Sequence, residues 1–239
     1  LLTSFISALK TMKFLEVSSL ESLSSTITTN SIDCILDIKL EPYSCKMVQS
    51  DKKHWKKEYE SNSKQRQALS PQEEELGLSP VGRRLRHLSE SSRNDDCDIY
   101  LADSISPRTL FDLIAVLNST FPDYDFSDRK SADFALVPIF ETVQQKVDEK
   151  LSSAVFNYGA VKNDLWSTIK TEIKPEECTI YTFKADYTSD PFSEDGCFWY
   201  FNYFLHNKNL NRLLFLSCRA LSASHSADVS QEQLWDLED

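Results

Sequence analysis

The stretch DPFSEDGCFWYFNYFLHNKNLNRLLFLSCR, Asp190–Arg219, decides how this chain folds. From Cys197 to Leu205 it is apolar or aromatic apart from Asn202. In an extended chain Trp199, Phe201, Tyr203 and Leu205 point to one face, and Phe198, Tyr200, Asn202 and Phe204 to the other. Asn207, Lys208, Asn209 and Asn211 supply turn chemistry, because asparagine tolerates the left-handed backbone that a hairpin turn demands. Residues 212–219 (RLLFLSCR) return as a second apolar strand. Both faces are apolar, so the hairpin is expected at the centre of a sheet with cover on each side. Asn202 and the tyrosine hydroxyls then need partners.

The other segments are read outward from this hairpin. Residues 18–26 (SSLESLSST) suit a short helix capped by Ser18 or Ser19, with Leu20 and Leu23 inward. Ile32, Cys34, Leu36, Ile38 and Leu40 alternate with polar residues, as in a strand with one wet face; Pro42 interrupts it and residues 43–47 (YSCKM) resume it. Ser106-Pro107 is a helix cap followed by a first-turn proline, with Leu110, Phe111, Ile114 and Leu117 at helical spacing. A second helix is expected near Pro138, with Ile139, Val143, Val147 and Leu151 inward. A third is expected from Asn163 or Asp164, with Leu165, Trp166, Ile169 and Ile173 inward and Pro175 beyond its end. Residues 178–183 (CTIYTF) form a further strand. The fold class is therefore α/β of the α+β type: one domain, a central antiparallel sheet packed by helices, interrupted by a long insertion.

The insertion is the span 50–103. Over residues 50–98 ten cations and ten anions accompany few apolar residues. Such a segment buries too little surface to offset its ordering entropy, so it is expected to be disordered, and deleting 50–98 is expected to alter stability by only about 1 kcal/mol. The core then comprises 12–49 and 104–221. Residues 222–239 read as an acidic disordered tail, and 1–11 as an upstream extension ahead of Met12.

With four glycines, at 77, 82, 159 and 196, the chain has no phosphate-cradling loop. A net charge of -11 argues against a nucleic-acid backbone as direct partner and suits a basic one. The six cysteines, 34, 45, 97, 178, 197 and 218, form no CxxC pair and read as reduced core residues; with only four scattered histidines, a zinc site is not expected. No apolar run reaches the roughly 20 residues of a membrane span. The carboxylates Asp123, Asp125, Asp190, Glu194 and Asp195 read as caps and turns rather than acid–base pairs, and His206 as a surface or edge residue. No catalytic, cofactor or metal residue is assigned, and a non-enzyme is expected.

The insertion carries a regulatory signal. Ser70-Pro71 and Ser79-Pro80 are Ser-Pro sites. Ser89 follows Arg84 and Arg86 at the R-x-R-x-x-S spacing favoured by basophilic kinases. Each phosphate adds about -1.5 to -2 charges. Arg83, Arg84 and Arg86 form a basic patch suited to docking on an acidic surface or to nuclear import.

These blocks resemble the Maf-type repressors of RNA polymerase III. The resemblance is carried by MKFLE (12–16), YSCKM with the following SDKKHWKK, ALSP and GLSP around Ser70 and Ser79, RTLFDLIAVLNSTFPDYDFSD (108–128), DLWSTIKTEI, ECTIYTF, SDPFSEDG and WYFNYFLHNKNLNR. It implies an α/β core around an antiparallel sheet. The partners implied are the clamp region of RNA polymerase III and the Brf subunit of its initiation factor. Control by TOR-type and basophilic kinases is implied at Ser70, Ser79 and, by position, Ser89. So are shuttling between nucleus and cytoplasm and a monomeric state. Asp123, Tyr124, Asp125, Lys208 and Arg212, polar loop positions inside the matched blocks, are the expected polymerase contacts. The turn NKNLNR departs from the family's more basic NKRLKR kind, which weakens a role for it in import. The alternative expectation is a small-anion-sensing α/β ligand-binding module.

Overall fold

A computed structural model describes residues 12–47, 66–71, 103–185 and 190–222. Its elements are β1 (Lys13–Phe14), α1 (Ser18–Thr29), β2 (Ile35–Ser44), β3 (Gln67–Ala68), β4 (Ser104–Ile105), α2 (Pro107–Thr120), β5 (Phe134–Val137), α3 (Phe140–Ala154), α4 (Tyr158–Ile173), β6 (Thr179–Phe183), β7 (Cys197–Asn207) and β8 (Arg212–Leu221). Six strands form one antiparallel sheet in the order β1-β2-β8-β7-β6-β5, and β3 pairs with β4 separately. The β7–β8 hairpin lies at the centre, and the α+β architecture expected of the sequence is observed.

The alternation of the strands sorts the core into two halves. Leu36, Ile38, Leu40, Ile180, Phe201, Tyr203, Leu205, Leu214 and Leu216 meet α1, α3 and α4. Tyr43, Tyr181, Phe183, Phe204, Leu213 and Phe215 meet α2 and the loop after it. The second half is built of aromatic rings: Phe121, Phe126, Phe134, Phe183, Phe192 and Phe215 approach edge-on or tilted at 5.5–6.4 Å between centroids.

The start of β7 departs from the expectation of cover on both faces. A register shift falls between Cys197 and Trp199, and Phe198 stands 64% exposed, with Tyr200 also exposed. A bulge turns the strand just where the layer over this face ends. From Phe201 to Asn207 every residue is buried. The turn follows its chemistry: Asn211 adopts φ 52°, Asn207 Oδ1 accepts from Leu210 N at 3.0 Å, and Asn207 Nδ2 donates to Ile173 O at 2.9 Å, satisfying a carbonyl at the end of α4.

Several boundaries differ from the sequence reading. The strand expected from Ile32 begins at Ile35, because Asp33 is left-handed at φ 57° and leaves Ile32 exposed. It then runs through Pro42 unbroken. Pro42 O accepts from Leu15 N, so the proline's missing donor faces short β1 and no β8 bond is lost. Helix α1 reaches Thr29, and Val17, not Ser18 or Ser19, precedes it. Ile139 sits outside α3 and is exposed. Helix α4 starts at Tyr158, following Asn157 at φ 54°, rather than at Asn163 or Asp164. The cap at Ser106 forms as read, its Oγ accepting from Thr109 N at 3.0 Å, although Phe111 is only half-buried. Strand β5 was not foreseen.

Residues 66–71 lie inside the span 50–103 read as a disordered insertion, yet this part belongs to the core. Leu69 is buried, its N–H donates to Asp103 O at 2.7 Å, and Ser70 N–H donates to Phe134 O at 2.8 Å. A single buried leucine among polar neighbours is diluted in any average over fifty residues. The remaining span of the insertion, the extension 1–11 and the tail from 223 lie outside the described residues. Among those described, Cys34, Cys45, Cys178, Cys197 and Cys218 are free thiols, and no helix is long and apolar enough to cross a membrane.

Candidate functional site

Two polar clusters mark the ends of the sheet's α2 face. Arg219, at the open end of the hairpin, is the hub of the first cluster. Its Nη2 pairs with Asp37 Oδ2 at 2.8 Å, and its Nη1 with Glu194 Oε2 at 2.9 Å and Pro191 O at 2.7 Å. The guanidinium lies 5.5 Å from the Phe121 ring centroid. Tyr124 donates its hydroxyl to Glu194, and burial followed by this carboxylate pushes the phenol up to about 12. Asp190 Oδ1 accepts from Phe192 N at 2.8 Å. The cluster thus fixes the 190–196 loop over the aromatic core: Asp190 acts as a turn residue, whereas Glu194, read as a cap or turn carboxylate, is an ion-pair partner of Arg219.

At the turn end, a cleft of about 620 Å³ opens between the end of β2, the first turn of α2 and the end of β7. Cys45, Ser106, Arg108, Asp112, His206 and Lys208 line it. Cys45 N donates to Asn211 O at 2.9 Å, tying β2 to the turn. Arg108 donates from Nε to Asp112 Oδ2 at 3.1 Å and from Nη2 to Cys45 O at 2.8 Å. Asp112 is only 3% exposed. Burial raises its carboxyl to about 6, with Arg108 opposing. Burial pushes the Cys45 thiol up to about 12, with Asp112 adding to the rise. Burial, then Lys208 and Arg108, hold His206 down at about 4. At neutral pH the cleft therefore presents a protonated thiol, a neutral imidazole and an Asp112–Arg108 ion pair. That thiol is not an activated nucleophile.

The expected contact residues are divided between these ends. Asp123 and Asp125 are exposed beside Tyr124, and Asp125 Oδ1 accepts from Ser127 N at 2.9 Å. Lys208 edges the cleft, whereas Arg212 turns to the other face and meets Glu172 at 3.5 Å. Arg212 and Arg219 stand seven residue steps apart along β8, roughly 23 Å at strand rise. Ser70 is pinned beside β5 rather than held in free chain. Ser79, Ser89, Arg83, Arg84 and Arg86 lie outside the described residues.

His206 corrects its reading as a surface or edge residue: it is a strand residue only 5% exposed. Arg108, Asp112 and Arg219 were missed. Two signals existed: an aspartate on the apolar side of α2 four residues after an arginine, and an arginine at a core-facing position of β8. Cys45, Asp112 and His206 each bring one ligand atom within 4.8 Å of the others.

Comparison with known proteins places this architecture. The sequence matches the family model described as Maf1 regulator over residues 36–217. It is 31% identical over 211 residues to the repressor of RNA polymerase III transcription maf1 of Schizosaccharomyces pombe, covering 88% of this chain and 83% of that protein. It is 37% identical over 123 residues to the repressor of RNA polymerase III transcription of Dictyostelium discoideum, covering 51% of this chain and 44% of the relative. The crystal structure of citrus MAF1 in space group P 31 2 1 superposes with a TM-score of 0.52 at 22% identity, over 85% of this chain and 99% of that one, a likeness of fold. With the family match spanning both halves of the core and the β7–β8 hairpin save the last four residues of β8, the chain belongs to the Maf1 regulator family.

Proposed function

We propose that this protein represses transcription by RNA polymerase III, and that it does so by binding rather than catalysis. The observation that carries the reading is the family match across residues 36–217, together with the relatives named as repressors of that polymerase. The surface chemistry agrees with a binding role. The net charge of -11 suits a basic protein partner, and the cleft's thiol and imidazole are not poised for chemistry at neutral pH. The partners proposed are the clamp region of the polymerase and the Brf subunit of its initiation factor. Asp123, Asp125 and Lys208 are the exposed members of the expected contact set. Tyr124 braces the 190–196 loop from within and acts on such a surface by shaping it.

The proposed control is phosphorylation of Ser70, Ser79 and Ser89 by TOR-type and basophilic kinases, with Arg83, Arg84 and Arg86 serving docking or import and the protein moving between nucleus and cytoplasm. At Ser70 the geometry adds a condition. Its N–H is bonded to Phe134 O, and Lys184 Nζ holds Pro71 O at 2.7 Å. A kinase that grips an extended substrate must first peel 66–71 from β5, so modification of Ser70 is coupled to release of the Leu69 anchor. The small-anion alternative is less well supported: of the three cations lining the cleft, Lys46, Arg108 and Lys208, Arg108 is already engaged by Asp112 and the Cys45 carbonyl.

The test is transcription of a tRNA gene in a purified polymerase III system. Adding the protein is expected to reduce transcript in proportion to its concentration, and a pull-down from nuclear extract to enrich polymerase III subunits. Unchanged transcription with no such enrichment refutes the reading.

A further inference from the structure

The turn-end cleft holds a donor set that repression by surface contact does not call for. Cys45, Asp112 and His206 come from the end of β2, the first turns of α2 and the end of β7, three segments far apart in sequence. All three are buried, at 9%, 3% and 5% exposure. One ligand atom from each lies within 4.8 Å of the other two. Around a tetrahedral ion with metal–sulfur and metal–nitrogen or –oxygen bonds near 2.3 and 2.1 Å, such atoms stand roughly 3.3–3.6 Å apart. Closing on an ion therefore asks for about 1 Å of side-chain adjustment at the wall of an open cleft.

A second observation is independent of that spacing. His206 Nδ1 is buried and has no hydrogen-bond partner among the described residues. Buried polar atoms are rarely left in that state without an unseen water or ion. The surroundings also resemble the outer partners that position metal ligands. Arg108 holds the Asp112 carboxylate and at the same time donates to the backbone carbonyl of Cys45, so one guanidinium orients two of the three donor residues. Each carboxylate oxygen keeps a second lone pair for a ligand bond. A thiolate, an imidazole and a carboxylate together select a borderline-soft ion of the zinc class, not calcium or magnesium, which take all-oxygen shells.

We propose that Cys45, Asp112 and His206 form a three-ligand site for a Zn²⁺-class ion, oriented by Arg108 and completed by water from the open cleft. Binding displaces the Cys45 thiol proton to solvent and transfers no electrons. Thiolate and carboxylate then offset the two charges of the ion, and with Arg108, which pairs with the same carboxylate, the cluster carries one positive charge. The site clips the end of β2 to the start of α2 and the end of β7, and so fixes the base of the hairpin turn that carries Lys208.

The test uses the full chain without an affinity tag, stripped by chelator and titrated with Co²⁺. One equivalent is expected to bind, to show a thiolate-to-cobalt charge-transfer band in the near ultraviolet, and to be displaced by Zn²⁺ with a rise in Tm. X-ray absorption on the zinc-loaded parent should show one sulfur in a shell otherwise of nitrogen and oxygen, a readout that needs no variant to fold. Cys45→Ser should abolish the cobalt band. Cys45→Ser and His206→Gln should weaken Zn²⁺ binding by more than about 100-fold, beyond the 10–100-fold typical of an outer partner. Cys178→Ser, at a half-buried thiol elsewhere, should leave binding unchanged. A zinc shell without sulfur, or a band that survives Cys45→Ser or disappears equally in Cys178→Ser, overturns the proposal.

Discussion

Replacing Asn202 with leucine tests how the central hairpin joins the outer strands. Strands β6 and β7 pair from Thr179↔His206 to Tyr181↔Phe204, and beyond that the ladder stops. Asn202 spans the gap with its side chain: Oδ1 accepts from Phe183 N at 2.7 Å and Nδ2 donates to Phe183 O at 3.0 Å. The amide thus replaces a missing pair of backbone bonds, and only 1% of Asn202 is exposed. Leucine shares the branched heavy-atom skeleton, though it is bulkier, and orphans two buried backbone groups, each worth about 1–3 kcal/mol when left unpaired. Burial of the new apolar side chain returns about 1.5–3 kcal/mol. The expected net is a loss of about 2 kcal/mol, because the two orphaned groups together outweigh one leucine. Directly across the strand pair, Ser217 gives the opposite case. Its Oγ is buried and has no partner among the described residues, so Ser217→Ala should be neutral or stabilising by up to about 1 kcal/mol. Urea unfolding of both variants, with slopes matching the parent, reads the two numbers. An Asn202→Leu protein within about 0.5 kcal/mol of the parent, a difference ordinary for an inert surface change, refutes the bridging role.

Leu69→Ala is expected to lower stability by about 2–3 kcal/mol in the same assay, near the low end for a buried leucine because the site lies at the edge of the core. Deleting 50–98 should cost about as much, whereas deleting 72–98 should change stability by about 1 kcal/mol or less, the scale of a shortened loop closure; equal effects of the two deletions would show that Leu69 is not an anchor. Ser106→Ala removes the cap of α2 and should cost about 1 kcal/mol, read as a shift in the urea midpoint. Asp148 supplies the acid-side prediction. Burial opposes its ionisation, but Lys162 at 2.7 Å, Tyr158 and Trp166 outweigh burial and hold the carboxyl below its usual range. That stabilisation is complete above the unfolded value near 4 and is lost as pH falls through the lower folded value. Asp148→Asn should therefore flatten the decline in stability below pH 4 measured by urea unfolding; an unchanged acid limb would remove Asp148 from the account.

Much of the scaffold was legible because its signals are local. The inward residues of α3 and α4, Val143, Val147, Leu151, Leu165, Trp166, Ile169 and Ile173, stand at spacings that any helix must respect. The Ser106-Pro107 pair announces a helix start on its own chemistry, and Asn211 marks the turn by tolerating a left-handed backbone. The start of α4 escaped because Tyr158-Gly159-Ala160 carries no conventional cap and follows a left-handed asparagine. Strand β5 escaped because four residues before a proline show too little alternation to read. Of the candidate site, the turn position of Lys208 was legible, but that Arg212 opens β8 and faces Glu172, and that both stand far from Tyr124, was not.

By itself the sequence determined most of the segments that become helix or strand and that the β7–β8 hairpin lies at the centre of the sheet, buried on both faces from Phe201 to Asn207. Those properties depend on side chains within about four residues of one another, or on strict alternation along one strand. Tertiary structure alone decided that Asn202 replaces a ladder bond to Phe183, that Leu69 anchors a polar stretch, and that Cys45, Asp112 and His206 converge on one cleft. Each of these depends on what lies opposite a residue after strands and helices from distant parts of the chain have packed, and burial, hydrogen-bond satisfaction and donor geometry are properties of that packing and not of any local run of residues.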